Sequence, residues 1–273
     1  MNVRRILLWL FVLFFPLPMA AGAAWFSLQE WAPNWRAADW TSAGIAPDPA
    51  RHREAIVQVY AARTGRWKSI FAVHSWIALK PVNAKQFTRY EVVGWGSPVR
   101  RDNYPVDGRW YGNEPHVVYE LRGAEAEALI PKIEKAVAAY PYARRGDYQT
   151  WPGPNSNSFV AGIARAVPGF DPRLPAVAVG KDFLGDGLRL AAPPSKTGWQ
   201  VSLFGALGFT LARAEGLEIN ILGLVAGINP LDLSITVPSF GRIGLQAMAA
   251  PNEAAAISTT APSCRTCDSA ARE

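Results

Sequence analysis

Residues 70–79 read Ile-Phe-Ala-Val-His-Ser-Trp-Ile-Ala-Leu. The stretch is rich in β-branched and aromatic residues, which is a strand signal. On a strand, side chains alternate between two faces. Phe71, Val73, Ser75, Ile77 and Leu79 then share one face, while Ala72, His74, Trp76, Ala78 and Lys80 share the other. A hairpin about Val82-Asn83 brings back residues 90–95 (Tyr-Glu-Val-Val-Gly-Trp) with opposed positions summing to 165. This register sets His74 opposite Glu91 and Trp76 opposite Arg89. A carboxylate facing an imidazole fixes its tautomer and raises its basicity. The plainer reading is an ordinary cross-strand polar pair.

Working outward, residues 55–61 (AIVQVYA) form a strand before a turn at Thr64-Gly65-Arg66, and residues 115–121 (PHVVYEL) form another. Residues 96–113, rich in Gly, Pro, Asp and Arg, read as a long loop, the kind that carries function or moves. Leu129, Ile133, Val137 and Tyr140 recur at helical spacing, so residues 124–140 form a helix, kinked or restarted at Pro131. A second helix begins near Ser156–Ser158 and runs to Val167.

From residue 180 to 244 Gly is frequent and alternation is clear. Leu231, Leu233, Ile235 and Val237 alternate with Asp232, Ser234 and Thr236, the pattern of a half-buried strand. Residues 209–213 and 217–222 flank Ala214-Glu215-Gly216 as a hairpin. The apolar run 199–212 is too short to span a membrane. This region reads as a β-rich extension packed on the preceding domain, with a membrane-dipping hairpin as the alternative. Residues 247–273, dominated by Ala, Ser and Thr, read as a disordered tail.

The N-terminus has a different character. Arg4 and Arg5 precede a stretch from Ile6 to Leu28 without a charged residue, long enough to cross a bilayer. Ala21-Gly22-Ala23 also offers a small-x-small cleavage site. Anchor or signal, the basic stub stays inside and the remainder leaves the cytoplasm. Inner-membrane anchoring with the main domain in the periplasm is expected, or secretion if the chain is cut after Ala23. Trp25, Trp31, Trp35 and Trp40 either form an interfacial belt or pack on the domain. Residues 29–54 read as a Trp-rich juxtamembrane linker, in which His52 is a solvated surface residue.

Composition narrows the classes further. Hydrophobic residues make up 49%, which excludes global disorder. The net charge of +6 is too mild to argue for nucleic acid, so no nucleic-acid partner is expected. Both Cys residues, Cys264 and Cys267, fall in the tail, which excludes a disulfide-stapled fold and a four-ligand zinc site. No metal or cofactor is expected.

The remaining signal is Trp151-Pro-Gly-Pro-Asn-Ser-Asn-Ser-Phe-Val160, a Pro/Gly turn leading into a helix. Ser156, Asn157 and Ser158 are all good N-cap residues. A helix start also presents free N–H groups and a positive dipole end, suited to an anion or an oxyanion. A hydroxyl there is a nucleophile if a base reaches it.

Asn155-Ser156-Asn157-Ser158-Phe159-Val160 resembles the Asn-Cys-x-x-Phe-Val segment of lecithin retinol acyltransferase-like proteins, in the circularly permuted branch of the NlpC-type papain-like fold. There too the His comes first on a strand and the nucleophile later at a helix start. The resemblance covers residues 55–167 and implies Ser156 as nucleophile, His74 as base and Glu91 as orienter. Asn155, Asn157, Ser158 and Trp76 would line the cleft. Ser156 stands where that family has Cys, and a serine hydroxyl is far less acidic than a thiol. The chain as a whole resembles an uncharacterised bacterial family, domain of unknown function 3750. Pro152–Phe159, Leu222-Gly223-Leu224 and Gly241-Arg242-Ile243-Gly244 carry that second resemblance, which implies no activity.

The expected architecture is therefore α+β. A permuted papain-like antiparallel sheet flanked by helices occupies residues 55–179, and the β-rich extension occupies 180–246. The leading functional expectation is a papain-like cleft that binds an envelope peptide, peptidoglycan or lipid without efficient turnover. A serine-dependent amide or ester hydrolase or acyltransferase is the alternative, and a structural membrane-associated protein the third.

Overall fold

The computed structural model describes residues 2–29, 31–32 and 34–244. The expected tail and its Cys264 and Cys267 lie outside the described residues. The fold is α+β, with two antiparallel sheets and four α-helices among the described residues.

The N-terminal run is one apolar helix interrupted by proline. Helix α1 (Val3–Phe14) is capped by Asn2, whose side chain accepts from the Arg5 N–H. Helix α2 (Pro16–Ser27) restarts with proline at its first position, where the missing N–H costs nothing. Together they form a 25-residue segment, Val3–Ser27, long and apolar enough to cross a membrane.

The first sheet has the order β4-β3-β2-β1-β5. Its strands are β1 (Ile56–Arg63), β2 (Val73–Lys80), β3 (Thr88–Val92), β4 (Val99–Arg101) and β5 (His116–Arg122). Strand β4 lies inside the stretch read as loop. Its neighbourhood is held by the Val93 N–H donating to the Pro98 carbonyl and the Arg89 N–H donating to the Asp102 carboxylate. Alternation sorts the central strands into two cores. Val57, Val59, Ile77 and Leu79 face helices α3 (Ala124–Ala138) and α4 (Ser156–Ala166). Tyr60, Trp76 and Ala78 face the aromatic segment that carries Trp40 and Trp110. Helix α3 passes through Pro131 without a break.

Trp76 is fully buried, donates its indole N–H to the Val106 carbonyl and stacks on Tyr60. It is a core residue and does not reach the cleft, which corrects the expectation that it lines a binding site. Residues 41–46 are also fastened to the domain. The Asp107 carboxylate accepts from the Ser42 hydroxyl and from the N–H groups of Ile45 and Ala46. Trp40 packs on Tyr104, Trp110 and Tyr111 rather than standing in an interfacial belt.

The second sheet is a seven-stranded meander, β6 to β12 in sequence order. Its strands are β6 (Leu188–Ala191), β7 (Gly198–Leu203), β8 (Leu207–Ala212), β9 (Gly216–Ile221), β10 (Leu224–Asn229), β11 (Ser234–Val237) and β12 (Gly241–Gly244). The hairpin about residues 214–216 is present as β8 and β9. The sheet is half-buried, but by its polar half. Ser234 and Thr236 are buried while Ile235, Leu233 and Leu231 are exposed.

That inversion extends across the sheet. Gln200, Thr210, Glu218 and Thr236 all face the domain and are buried. Beneath them the buried Lys181 ammonium donates to Asp182 and Glu218, at 3.0 Å each. Asn220 donates to Asp182, and Arg165 donates to Gln200 and to the Lys181 carbonyl. Burial pushes the Arg165 guanidinium down to about 10. A polar core of this kind persists only because its members find partners.

Candidate functional site

The site forms where strand β2 begins beside the N-terminus of helix α4. The turn 151–154 contains two cis X-Pro bonds and delivers the chain to Asn155. The Asn155 side chain accepts from the N–H groups of Asn157 and Ser158, and donates to the carbonyls of Thr150 and Val179. The Ser158 hydroxyl completes a capping box with the Asn155 backbone, at 2.6 and 2.9 Å. Ser158 thus serves the helix end and borders a different cavity, so it drops out as a cleft hydroxyl.

Asn157 fastens the helix to the strand. Its amide donates to the carbonyls of Val73 and Val179, and its oxygen accepts from the Ser75 hydroxyl at 2.8 Å. Residues Ser75 and Asn157 are 82 positions apart in sequence, so this staple sets where the α4 start sits relative to His74.

On the other face of β2, His74 Nε2 lies 2.8 Å from Glu91 Oε2. The register behind this pair is shifted from the sequence reading. Ile77 pairs with Tyr90 and Leu79 with Thr88, so opposed positions sum to 167 rather than 165. A slip of two residues keeps every side chain on its face. Glu91 therefore reaches His74 diagonally.

The sequence reading missed a third member. Arg89 Nη2 donates to the same Glu91 Oε2 at 2.8 Å, and its guanidinium lies 4.0 Å from the Trp76 ring centre. All three side chains are buried. The legible signal was an Arg and a Glu two apart on one strand face. Trp110 stacks on the His74 ring with centroids 3.6 Å apart and planes at 6°. It comes from a segment whose irregular composition gave no hint of it.

The electrostatics follow from burial and from the Arg89 charge. Burial pushes the Glu91 carboxyl up, but the hydrogen bond from His74 and the guanidinium beside it leave it lowered and ionised. His74 is lowered because burial disfavours the imidazolium and Arg89 opposes it, outweighing the help from Glu91. The pair is thus a neutral imidazole donating Nε2–H to a carboxylate, with Nδ1 left as the acceptor nitrogen.

His74, Ser156, Asn155 and Asn157 line one cavity of about 620 Å³. The remaining wall is mostly apolar, with Trp67, Phe71, Trp95 and Trp110 prominent. Two parts of it come from outside residues 55–179: Leu222 and Leu224 from the second sheet, and Met19 from helix α2. Helix α2 is seated there by close packing. A Cβ on the buried Gly22 would fall 2.5 Å from the Ser239 hydroxyl, and Met19 accepts a hydrogen bond from that hydroxyl. Arg63 holds the Ser239 carbonyl from beneath. His52, by contrast, sits in a surface cluster with Glu54 and Arg122. Among the described residues no group of three or more His, Cys, Asp or Glu could hold a metal ion.

Residues 54–183 match the family model described as protein of unknown function (DUF3750). No curated protein matches the chain, and no solved structure does.

Proposed function

We propose that this chain, which residues 54–183 place in the DUF3750 family, is a membrane-anchored protein whose cavity binds the acyl part of a lipid. The observation that carries the reading is Met19. A residue of the membrane-length helix forms part of the same cavity wall as His74 and Ser156. A ligand entering there meets a mostly apolar, aromatic-rich lining with His74 and the α4 start as one polar group and Arg66 and Lys68 as another, the composition of a site for an anionic amphiphile. Peptide and peptidoglycan ligands offer less apolar surface to such a wall.

The His74 end supports holding more than turnover. In a working Ser–His–carboxylate arrangement the carboxylate stabilises the imidazolium that forms when the serine gives up its proton. Here Glu91 shares one oxygen between His74 and Arg89, and the Arg89 cation works against a second positive charge beside it. On the papain-like plan Ser156 would also stand at the position of a thiol that ionises readily, and a hydroxyl does not. In this reading the Ser156 hydroxyl and the Ser156 N–H, the first-turn N–H that neither the Asn155 cap nor the helix takes up, hold the ligand's carboxylate or ester oxygens.

The test is photo-crosslinking of the full chain in lipid nanodiscs with a diazirine-bearing fatty acid. Labelled peptides should include residues 66–73 and 148–157, and Ala72→Phe, which fills the cavity, should abolish that labelling. Labelling confined to residues 3–27 would overturn the reading.

A second reading has its own observation, the His74–Glu91 pair in one cavity with Ser156. It is a serine-dependent hydrolase or acyltransferase on the papain-like plan, with Ser156 as nucleophile, His74 as base and Glu91 as orienter. A fluorophosphonate probe distinguishes it. Labelling lost in Ser156→Ala and His74→Gln but kept in Ser158→Ala would establish turnover chemistry.

A further inference from the structure

The outer face of the second sheet has no polar side chain in any of its cross-strand rows. The row nearest the β6–β7 connection runs Trp199, Leu211, Leu217, Ile228, Ile235 and Ile243 across six strands. The middle row carries Val201, Phe209 and Ile219, and the third Leu203, Leu207 and Ile221. Trp199, Leu211 and Ile243 are half exposed or more. With strands about 4.8 Å apart, seven of them give an apolar surface roughly 30 Å wide. Soluble monomers rarely leave so much apolar surface in water.

The two ends of this sheet differ as sharply as its faces. The turns after β7, β9 and β11, residues 204–206, 222–223 and 238–240, hold no charged residue and expose Phe204, Leu222 and Phe240, and the lead-in to β6 brings one charge, Asp186, to the rim of this end. The connections at the opposite end, residues 192–197, 213–215 and 230–233, hold Lys196, Arg213, Glu215 and Asp232. Helix α2 is seated at the end of the three uncharged turns, where Gly22 and Met19 meet Ser239.

We propose that the second sheet is a membrane-contacting surface in its own right. Its three uncharged turns and its outer face lie in the bilayer that the helix Val3–Ser27 enters, with Asp186 at the headgroup level of the β6 edge, and its polar face turns toward the protein. The strands span at most six residues, about 20 Å, so the sheet dips into one leaflet and does not cross. A second copy stacked face to face would cover the three rows but leave Phe204, Leu222 and Phe240 in water. A bilayer covers both, and it is continuous with the surface of α2. The inference rests on the membrane reading of that helix, and the experiment separates the two.

The full chain carrying Cys264→Ser and Cys267→Ser is spin-labelled at single cysteines and reconstituted in vesicles of phosphatidylethanolamine and phosphatidylglycerol. Collision with oxygen, which concentrates in lipid, is compared with collision with a water-soluble nickel chelate. Phe209→Cys and Phe240→Cys should favour oxygen, as Leu13→Cys in helix α1 does, whereas Val82→Cys on the first domain should favour nickel. Leu211→Cys replaces Phe209→Cys if that variant does not fold. Nickel access at 209 and 240 equal to that at 82 overturns the proposal even when 13 is in lipid. Low access to both reagents at 209, with spin–spin broadening, overturns it in favour of a second copy. Nickel access at 13 with oxygen preferred at 209 would remove the anchor and leave the sheet proposal standing.

Discussion

The two sheets of this molecule use the same alternation with opposite sense. In the first, Val57, Val59, Ile77 and Leu79 meet helices while Tyr60 and Trp76 meet an aromatic layer, so both faces are covered by the chain itself. In the second, Thr210, Glu218 and Thr236 are turned inward and Leu211, Ile228 and Ile235 outward. Each nevertheless buries a charged cluster: Arg89–Glu91–His74 in the first and Lys181–Asp182–Glu218 behind the second. The difference teaches that alternation identifies a two-faced strand without saying which face is the core. The neighbour, water or otherwise, decides that.

The largest expected effects concern the charged clusters, and they should be alike in both sheets. Glu91→Ala leaves the Arg89 guanidinium buried without its counter-ion, and Lys181→Met leaves two carboxylates. Each should cost about 3–5 kcal/mol in urea unfolding of the micelle-held chain. A cost near zero for Lys181→Met would mean that the polar layer is hydrated, and the comparison would fail on that side.

Two tryptophans sharpen it next. Trp76→Ala, in the first sheet's core, should destabilise by about 3–5 kcal/mol. Trp199→Ala, on the second sheet's outer face at 66% exposure, should stay within about 0.5 kcal/mol in micelles. Equal costs would show that the chain covers Trp199 after all.

The smallest effect is a pH dependence belonging to the first sheet. His74 has its pKa lowered in the folded protein, so the unfolded chain binds the proton more readily. Its contribution is complete above the unfolded value near 6.5 and is lost as pH falls through the folded value. Glu91, also lowered, adds a loss that begins only below its unfolded value near 4.5. Between pH 6.5 and 4.5 stability should therefore fall with a slope of at most about 1.4 kcal/mol per pH unit from His74. Denaturation midpoints of His74→Gln across that window should be flatter. An unchanged slope would place the titration elsewhere.

Much of the first domain was legible because its signals were local. The His74 strand, the α3 periodicity and the helix start at Asn155–Ser158 each announce themselves within a few residues. The His74–Glu91 pair was reachable because a register error of two preserves the face. Trp76 was misplaced because facing the same side as His74 does not mean reaching the same cavity. Met19 and Trp110 were missed because their roles depend on segments tens of residues away, whereas Arg89 was missed although its partner Glu91 lies two residues on, on the same strand face. The orientation of the second sheet was illegible for another reason. Leu231-Asp-Leu-Ser-Ile-Thr-Val237 has the same alternation whichever side meets the protein.

Met19 gives the N-terminal helix a role that no mere tether would have. A chain cut after Ala23 would lose the Met19 part of the cavity wall along with its apolar helix, and Gly22 would leave its seat at Ser239. Uncut and cut forms would then differ in the cavity itself, one closed by Met19 and one open on that side. Removal of the helix and opening of the cavity would be a single event.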